Sequence, residues 1–276
     1  MPEHRSIPPV ALTIAGSDSG GGAGIQADLR TFAAFGIHGT SAITAVTAQN
    51  TRKVADLQML PARIISAQIE AVLGDFHVSA IKTGMLGTAT ITRCIAEVLD
   101  RHRHIPLIVD PVLVATSGAI LARGRLVGAI KQHLLPRADL LTPNVPEAEQ
   151  LLGRRLGNRE SLLEAAMELR QMGAAAVLLK GGHLAGPQVH DVLVSESGVR
   201  WFSHARIKAE GHGTGCTLAS AITACLARGD TIENAVEVAI KFVNRALQLA
   251  YRPGRGKIVV LDHLAAAQLA QNESDQ

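Results

Sequence analysis

The chain has 276 residues, of which 47% are hydrophobic, enough apolar material for one large core or for one core with a small lid. A net charge of +3, the lack of a long basic run and an aromatic content of 3% argue against a nucleic-acid-binding protein. No segment reaches the roughly 20 apolar residues of a membrane span. Residues 1–9 lack the apolar stretch of a signal peptide, and the three cysteines form no C-x-x-C pair. We therefore expect a cytoplasmic protein that binds neither nucleic acid nor membranes.

The first predicted unit is a strand, a glycine-rich turn and a helix. Residues 10–15 are apolar, residues 16–24 are rich in glycine, and a helical apolar pattern begins at Ile25. The glycines do not match the G-x-G-x-x-G spacing of a dinucleotide-binding turn, so we interpret them as permitting a close approach of backbone or ligand. Asp28 lies on the first helical turn, where the helix dipole favours a carboxylate even without a further role.

Strands and helices then alternate through most of the chain. The predicted strands are residues 42–48, 106–112 and 175–179, with a strand and turn over residues 80–86 and a repeat of the strand-end pattern over residues 138–144. The predicted helices are residues 61–73, 90–101, 161–172 and 232–251, with further helices beginning at residue 145 and within the segment 210–222. Residues 190–194 and 199–207 predict a β-hairpin, and the termini, residues 1–9 and 265–276, are expected to be flexible. The alternation predicts an α/β fold with a mostly parallel sheet covered on both faces, in a single domain.

Polar residues stand where several of these strands end. Because the carboxyl ends of strands form the binding edge of an open α/β sheet, their shared placement predicts one site. Gln49 follows the strand 42–48, and Asp110 lies near the end of the strand 106–112, where a carboxylate serves magnesium or a polar substrate, or else caps the next turn. Lys180 follows a strand beside two glycines and suits a phosphate better than a surface salt bridge.

Three further positions have structural explanations of differing strength. Asn144 can cap the helix that begins at residue 145, which accounts for the asparagine. Glu147 is less explained, since Glu149 could supply the first-turn charge equally well. Met85, in the strand and turn over residues 80–86, is interpreted as a core residue that fills space.

The segment 210–222 is the most informative stretch. Gly213, Thr214 and Gly215 lead into an Ala-rich apolar run without proline, which predicts a tight loop before a helix. The first amides of such a helix are unpaired and carry the positive end of its dipole, so they bind anions, phosphate above all. Cys216 lies at this start, where we expect the thiol pKa to fall. The alternative is a close-packed glycine turn with a buried structural cysteine.

An anion site beside a base is half of a phosphoryl-transfer site, although the chain has neither a P-loop nor the protein-kinase motifs. Such transfer needs positioning, cations on the transferred group and an activated acceptor oxygen. We expect the amides of residues 213–216 to stabilise charge on the transferred group and Lys180 to neutralise the phosphates. Asp110 and Glu147 could hold magnesium through water, and Cys216 could accept the proton of an alcohol.

A series of short motifs occurs in order between residues 10 and 261. They are Ala15-Gly16-Ser17-Asp18, Gln26-Ala27-Asp28-Leu29, Ala48-Gln49-Asn50-Thr51, Lys82-Thr83-Gly84-Met85-Leu86, Val109-Asp110-Pro111-Val112, Thr142-Pro143-Asn144 with Glu147, Lys180-Gly181-Gly182-His183 and His212-Gly213-Thr214-Gly215-Cys216-Thr217. As an ensemble, the motifs resemble those of the hydroxymethylpyrimidine/phosphomethylpyrimidine kinases of thiamine biosynthesis, within the ribokinase-like superfamily.

The resemblance implies a three-layer α/β/α sandwich and two successive ATP-dependent phosphorylations. The first acceptor would be the hydroxymethyl group of 4-amino-5-hydroxymethyl-2-methylpyrimidine, and the second would be the resulting monophosphate. By this similarity, Asp28 and Gln49 would hydrogen-bond the aminopyrimidine, while Gly16 and Met85 would line its pocket.

The resemblance also assigns the nucleotide side. Asn144, Glu147, Lys180 and Thr214 would serve ATP and its magnesium ion, and Cys216 occupies the position where sugar kinases of the superfamily carry an aspartate base. A primary alcohol needs a base and an anionic monophosphate does not, so we expect Cys216 to matter chiefly in the first step. Relatives are commonly dimers, so a homodimer is expected.

Two positions depart from the family pattern, and two alternatives stay open. Glu210-Gly211 replaces Asn-Thr at the nucleotide edge, and Thr116 replaces a lysine that could contact phosphate. Pyridoxal kinase is the nearest alternative, because its substrate also carries a hydroxymethyl group on a six-membered heteroaromatic ring; Gln49 and Met85 favour the pyrimidine. The other alternative is a protein that binds the vitamin precursor without catalysis.

Overall fold

The computed structural model describes residues 7–113, 124–209 and 211–274. Eleven strands and nine α-helices alternate through these residues. The strands are β1 (Val10–Asp18), β2 (His38–Gln49), β3 (Val54–Met59), β4 (Val78–Thr83), β5 (Leu107–Val109), β6 (Leu140–Leu141), β7 (Val177–Leu179), β8 (Gln188–Ser195), β9 (Gly198–Ala205), β10 (Gly211–His212) and β11 (Val259–Val260). The helices are α1 (Gly24–Ala34), α2 (Ala62–Asp75), α3 (Ala89–Leu99), α4 (Gly124–Ala129), α5 (Val145–Leu152), α6 (Arg159–Gln171), α7 (Thr214–Ala227), α8 (Ile232–Gln248) and α9 (His263–Ser274).

One sheet organises the chain. Its nine strands run in the order β3-β2-β1-β4-β5-β6-β7-β8-β9. The strands from β2 to β7 are mutually parallel, whereas β3 at one edge and the hairpin β8–β9 at the other are antiparallel additions. The strand order changes direction around β1 and β4, which is where ligands bind in open sheets of this kind.

Helices cover both faces of this sheet. The strand β5 illustrates why, since Leu107 and Val109 pack into the core under α2, α3 and α6, while Ile108 packs into the core under α7 and α8. Alternate side chains of a strand point to opposite faces, so an apolar run without polar interruption requires a cover on each side. The predicted α/β sandwich, its mostly parallel sheet and its hairpin are confirmed.

The helix α7 is the innermost helix. Most of its side chains are small and buried, among them Ala219, Ala221 and Ala224. Small side chains let a helix lie close to the sheet and to neighbouring helices, so α7 packs against both α1 and α8 as well as β4. Its first turn thereby comes to the edge where the parallel strands end.

Some elements differ from the sequence-based predictions. The edge strand β3 and the short pair β10–β11 were not predicted, because exposed or two-residue strands carry little apolar periodicity. The helix α4, which continues into a turn of π-helix over Ile130–Leu134, was also not predicted. Where fraying was expected from residue 265, the chain forms α9 and buries Ala266. Among the described residues, no helix is both long and apolar enough to cross a membrane.

Candidate active site

Two cavities meet at the amino end of α7. The large cavity, of about 460 Å³, has Lys180 and Thr214 in its wall. The small cavity, of about 90 Å³, has Gly213 and Cys216 in its wall. Consecutive residues of one loop therefore face different cavities, and a group that passes from one cavity to the other must cross the first turn of α7.

The loop before α7 needs its glycines. Gly213 has a φ of 81°, and a Cβ on it would overlap the carbonyl oxygen of Gly22 in the turn after β1. A Cβ on Gly215 would lie 3.2 Å from Lys180 Nζ. No described side chain caps the start of α7, so its first amides keep their hydrogen-bonding capacity and the positive end of the helix dipole. The predicted anion site is therefore available here.

Lys180 and Asp110 form an ion pair beside this loop. Lys180 Nζ lies 3.2 Å from Asp110 Oδ1, which also accepts a long hydrogen bond of 3.4 Å from Thr142 Oγ1. Burial alone would lower the pKa of Lys180, but the carboxylates of Asp110 and Glu147 raise it above its ordinary value. Lys180 thus stays a cation at the edge of the large cavity, as a phosphate contact requires.

Asn144 and Glu147 form a capping box at the start of α5. The Asn144 side chain accepts a hydrogen bond of 2.9 Å from Glu147 N–H, and Glu147 Oε2 accepts one of 2.8 Å from Asn144 N–H. The cap predicted for Asn144 is confirmed, and Glu147 gains the structural explanation that the sequence left open. The backbone of Asn144 also pairs with Lys180 beyond the ends of β6 and β7, which brings Glu147 to the same edge.

Asp110 and Glu147 are suited to a magnesium ion but do not enclose one. Burial and the neighbouring Asp110 carboxylate raise the pKa of Glu147 to about 7, although Lys180 opposes this. A divalent cation would relieve that repulsion between carboxylates. Among the described residues, no group of three or more acidic, histidine or cysteine side chains forms a metal cage. Such a site fits magnesium, which commonly takes one or two carboxylates and completes its shell with water and phosphate oxygens.

The small cavity contains three of the predicted acceptor residues. Gly16 lies at a bulge in β1, where a Cβ would overlap the terminal methyl of Met85. Met85 lines the cavity beside it, held by a hydrogen bond of 2.6 Å from Thr44 Oγ1 to its carbonyl oxygen. Gln49 lines the same cavity from the end of β2. Met85 is thus a wall residue of the cavity and not only a core residue.

Asp28 does not reach this cavity, which corrects the role that the resemblance assigned to it. Its side chain is completely buried, and both of its carboxylate oxygens lie 2.9 Å from Lys82 Nζ. Thr13 and Ser220 donate further hydrogen bonds of 2.6 and 2.7 Å to the two oxygens. A carboxylate with all these partners has no capacity left for an aminopyrimidine.

Cys216 also departs from its expectation. Burial raises the pKa of its thiol to about 12, with further contributions from the carboxylates of Asp28 and Asp110, although the Lys82 cation acts in the opposite direction. The helix start was expected to lower this pKa. Desolvation is the largest cause of the shift, although Cys216 is only half-buried and borders the small cavity.

Sequence reasoning missed two residues of the small cavity, Asp18 and His212. The Asp18 carboxylate accepts hydrogen bonds from the backbone amides of Gly20, Gly22 and Ala23, so the glycine-rich turn wraps this side chain and not a ligand anion. The rule that identified Asp110, a carboxylate at a strand end, could have found Asp18. Thr116 and Glu210, where the sequence departs from the family pattern, lie outside the described residues.

The large cavity has an apolar wall that the sequence did not indicate. Its side chains come from the three elements β8, α7 and α8, and they are Val189, Leu218, Ile240, Val243 and Leu247. Lys180, Gly182, His183 and Arg206 provide its polar end. A flat apolar group with a charged extension therefore fits this cavity, with the charges toward Lys180 and Thr214.

Comparisons with known proteins agree on one family. The model of the phosphomethylpyrimidine kinase family matches residues 18–261. The hydroxymethylpyrimidine/phosphomethylpyrimidine kinase of Haemophilus influenzae is 46% identical over 250 residues, which are 89% of this chain and 93% of the relative. A bifunctional thiamine biosynthesis protein of Geobacter sulfurreducens is 45% identical over 93% of this chain, which spans only 52% of that longer protein. The structure of Staphylococcus aureus pyridoxal kinase with AMP-PCP and pyridoxal superposes with a TM-score of 0.86 at 33% identity, covering 94% of this chain and 95% of that one.

Proposed function

The chain belongs to the phosphomethylpyrimidine kinase family, and from this membership we propose that it phosphorylates 4-amino-5-hydroxymethyl-2-methylpyrimidine and then the resulting monophosphate, with ATP as donor, in thiamine biosynthesis. The observation that carries the proposal is that two cavities meet across the first turn of α7. One cavity suits the donor and the other the acceptor, and the shared turn offers amides to the group in transit.

The large cavity takes the nucleotide in this proposal. The apolar side chains from α7 and α8 contact the base, and the triphosphate extends toward Lys180 and the amides of Thr214 and Gly215. Lys180 is held protonated by its carboxylate neighbours, so it balances the charge of the phosphates throughout the reaction. Asp110 and Glu147 would hold magnesium, which would offset the charge that develops on the phosphate oxygens.

The small cavity takes the acceptor. Gly16 and Met85 contact the flat ring, and the Gln49 carboxamide recognises its polar edge. The hydroxymethyl oxygen then lies beside Gly213 and Cys216, in line with the γ-phosphoryl group on the other side of the loop. Asp28 supports this arrangement from below, by holding Ser220 of α7, and does not contact the ring.

Cys216 contributes chiefly to the first phosphorylation. Its thiol is protonated at neutral pH because burial raises its pKa to about 12, so the thiolate that could accept a proton from the alcohol is scarce. The first step should therefore accelerate as the pH rises from 7 to 10, whereas the second step, with an anionic acceptor, should not. Comparing the two rates in one pH series checks this. A Cys216→Ala enzyme with full activity on the alcohol would contradict it.

Pyridoxal is a second candidate acceptor. The observation that favours it is the close superposition, with a TM-score of 0.86, on a pyridoxal kinase whose structure contains pyridoxal. The higher identity to the Haemophilus influenzae kinase, 46% against 33–34%, favours the pyrimidine. One active site could accept both rings, since each carries a hydroxymethyl group.

The deciding experiment is an ATP-consumption assay with the pyrimidine, with pyridoxal and without acceptor, in which products are resolved by mass. Formation of both the mono- and the diphosphate of the pyrimidine is the expected result. Pyridoxal phosphate alone would replace the proposal by the second candidate. Turnover of neither acceptor would leave a protein that binds the precursor without catalysis.

The remaining expectations about organisation are proposals as well. We propose that the chain forms a single kinase domain, that it acts in the cytoplasm and that it assembles as a homodimer. Light scattering on the purified protein tests the last of these directly.

A further inference from the structure

Four polar side chains form a network in the wall of the small cavity. His212 Nε2 lies 3.1 Å from Asp18 Oδ2 and 2.9 Å from the amide nitrogen of Gln49. On the other side, Thr47 Oγ1 lies 3.4 Å from the amide oxygen of Gln49. The function proposed above uses only Gln49 from this network.

Asp18 determines which nitrogen of His212 carries a proton. Burial would raise the pKa of Asp18, but hydrogen bonds from His212 and from the amides of Gly20 and Ala23 lower it overall, so the carboxylate is ionised and accepts only. The nitrogen that faces it, Nε2, must therefore be an N–H group. Nδ1 of His212 is buried without a hydrogen-bond partner among the described residues, so the hydrogen bonds of this ring are made through Nε2 alone.

This proton in turn determines the orientation of the Gln49 carboxamide. An N–H group on His212 cannot pair with the amide nitrogen of Gln49, since both are donors. Thr47 has the complementary conflict, because its hydroxyl already donates a hydrogen bond of 2.9 Å to the carbonyl oxygen of Ser17 and cannot also donate to Gln49. Rotating the amide by 180° resolves both conflicts. The single Nε2–H of His212 is then shared between Asp18 Oδ2 and the amide oxygen of Gln49, and the amide nitrogen donates to Thr47 Oγ1.

We propose that Asp18 and His212 are positioning residues that fix the Gln49 amide in this orientation and thereby set which way round the acceptor ring binds. The inference rests on the proposed use of the small cavity for the acceptor. Once His212 and Thr47 have each taken one contact, the amide retains one N–H and one carbonyl lone pair side by side. The 4-amino group and the adjacent ring nitrogen of an aminopyrimidine match this pair, as adenine matches a carboxamide.

The fixed orientation has a consequence for the reaction. The amide oxygen faces His212, so the 4-amino group of the ring binds on the His212 side. The hydroxymethyl group is attached to the next ring carbon, beyond the amino group, and therefore points toward Gly213, the neighbour of His212 in the chain. The reversed amide would direct the hydroxymethyl group away from the loop where the phosphoryl group arrives.

The test compares the aminopyrimidine with its 4-oxo analogue, which exchanges the donor and the acceptor along the same edge. Binding of both compounds is measured by calorimetry, and phosphorylation is measured separately. We expect the wild-type protein to prefer the amino compound by about 10- to 100-fold. His212→Leu frees the amide to rotate, so its preference should fall to a few-fold, while the KM for ATP stays unchanged. His212→Gln retains an N–H donor for Asp18 and should restore the preference.

A matched control is His77→Leu, which removes an exposed histidine directly before β4, at the opposite edge of the sheet. It should leave the preference at the wild-type value. If His212→Leu does not fold, Thr47→Val removes the other contact of the amide and should also lower the preference. Equal weakening of both compounds in these variants would overturn the inference. Preferential binding of the amino compound without turnover would contradict the proposed kinase function and still support the inference. Binding of neither compound would contradict both.

Discussion

Two buried aspartate–lysine pairs lie near the first two turns of α7, and they differ in how many hydrogen bonds their carboxylates receive. In the pair Asp28–Lys82, both side chains are fully buried and the contact is 2.9 Å. In the pair Asp110–Lys180, the contact is 3.2 Å and the lysine side chain keeps 13% exposure toward the large cavity. The chemical groups are identical, so their surroundings decide what each pair can do.

Hydrogen bonds from Thr13 and Ser220 complete the set of partners of the Asp28 carboxylate. Within the described part of the chain, Asp110 receives, besides Lys180, a long contact from Thr142. The complete set of hydrogen bonds compensates the desolvation of the Asp28 carboxylate. It also holds together the elements that contribute to it, which are β1, α1, β4 and α7. The incomplete set of hydrogen bonds at Asp110 leaves its carboxylate able to contact a ligand. We therefore assign the first pair to the fold and the second to the reaction, and the following variants test that division.

Lys82→Met should have the largest effect on stability. It leaves a completely buried carboxylate without its counter-charge, which costs about 3–5 kcal/mol in the free energy of unfolding. Urea denaturation followed by circular dichroism measures this. The double variant Asp28→Leu/Lys82→Met, which removes both charges, should recover part of the loss. A change below about 1 kcal/mol for the single variant would show that the pair is not structural.

Lys180→Met should reduce the rate and spare the fold. Loss of the cation that faces the phosphates should lower kcat by about 10²- to 10³-fold. Its unfolding free energy should change less than that of Lys82→Met, because Asp110 borders a cavity that water can enter. Steady-state kinetics and urea denaturation on the same preparation give both quantities. A kcat equal to that of the wild type, or a stability loss larger than that of Lys82→Met, would contradict the assignment of the second pair to the reaction.

Glu147→Gln should change how stability depends on pH in metal-free buffer. The folded protein raises the pKa of Glu147 from 4.5 to about 7, so the protonated form is favoured by folding. Its stabilising contribution is present in full below about pH 4.5 and is lost as the pH rises through 7. Glutamine retains the acceptor for Asn144 N–H without the charge. The variant should therefore gain stability relative to the wild type between pH 5 and 8. Parallel stability curves would contradict the raised pKa.

Arg101→Ser should have the smallest effect. The pair Arg101–Glu70 is closer, at 2.7 Å, than either buried pair, but its side chains are 60% and 55% exposed. Solvent screening and side-chain entropy limit such a pair to about 0–1 kcal/mol, and salt reduces it further. Thermal unfolding at low and high salt measures this effect. A loss of unfolding free energy comparable to that of Lys82→Met would mean that contact distance, and not burial, determines how much each ion pair stabilises the protein.

The part of the site that could be predicted from sequence follows a local rule. Lys180, Asp110 and Gln49 were identified because each stands at the carboxyl end of a strand, and parallel strands bring their carboxyl ends to one edge. The glycine-rich start of α7 was identified for a similar reason, since the backbone of a helix start binds anions irrespective of tertiary context.

The same rules failed where burial decides the outcome. Asp28 resembles a ligand-binding carboxylate in its motif, yet Lys82, 54 positions later in the chain, occupies it. Cys216 resembles an activated thiol at a helix start, yet desolvation raises its pKa to about 12. Neither burial nor a partner distant in sequence can be read from a motif.

The sequence by itself determined the layered α/β fold, the family and the edge of the sheet that carries the site, because these depend on periodicity and on the identity of residues at strand ends. The tertiary structure alone decided which of the two aspartate–lysine pairs is fully hydrogen-bonded and in which direction the pKa of the Cys216 thiol shifts. It also decided that His212 contacts both Asp18 and Gln49. Desolvation and hydrogen-bond satisfaction depend on every neighbour in three dimensions, and those neighbours come from β1, β2, β4 and α7 together.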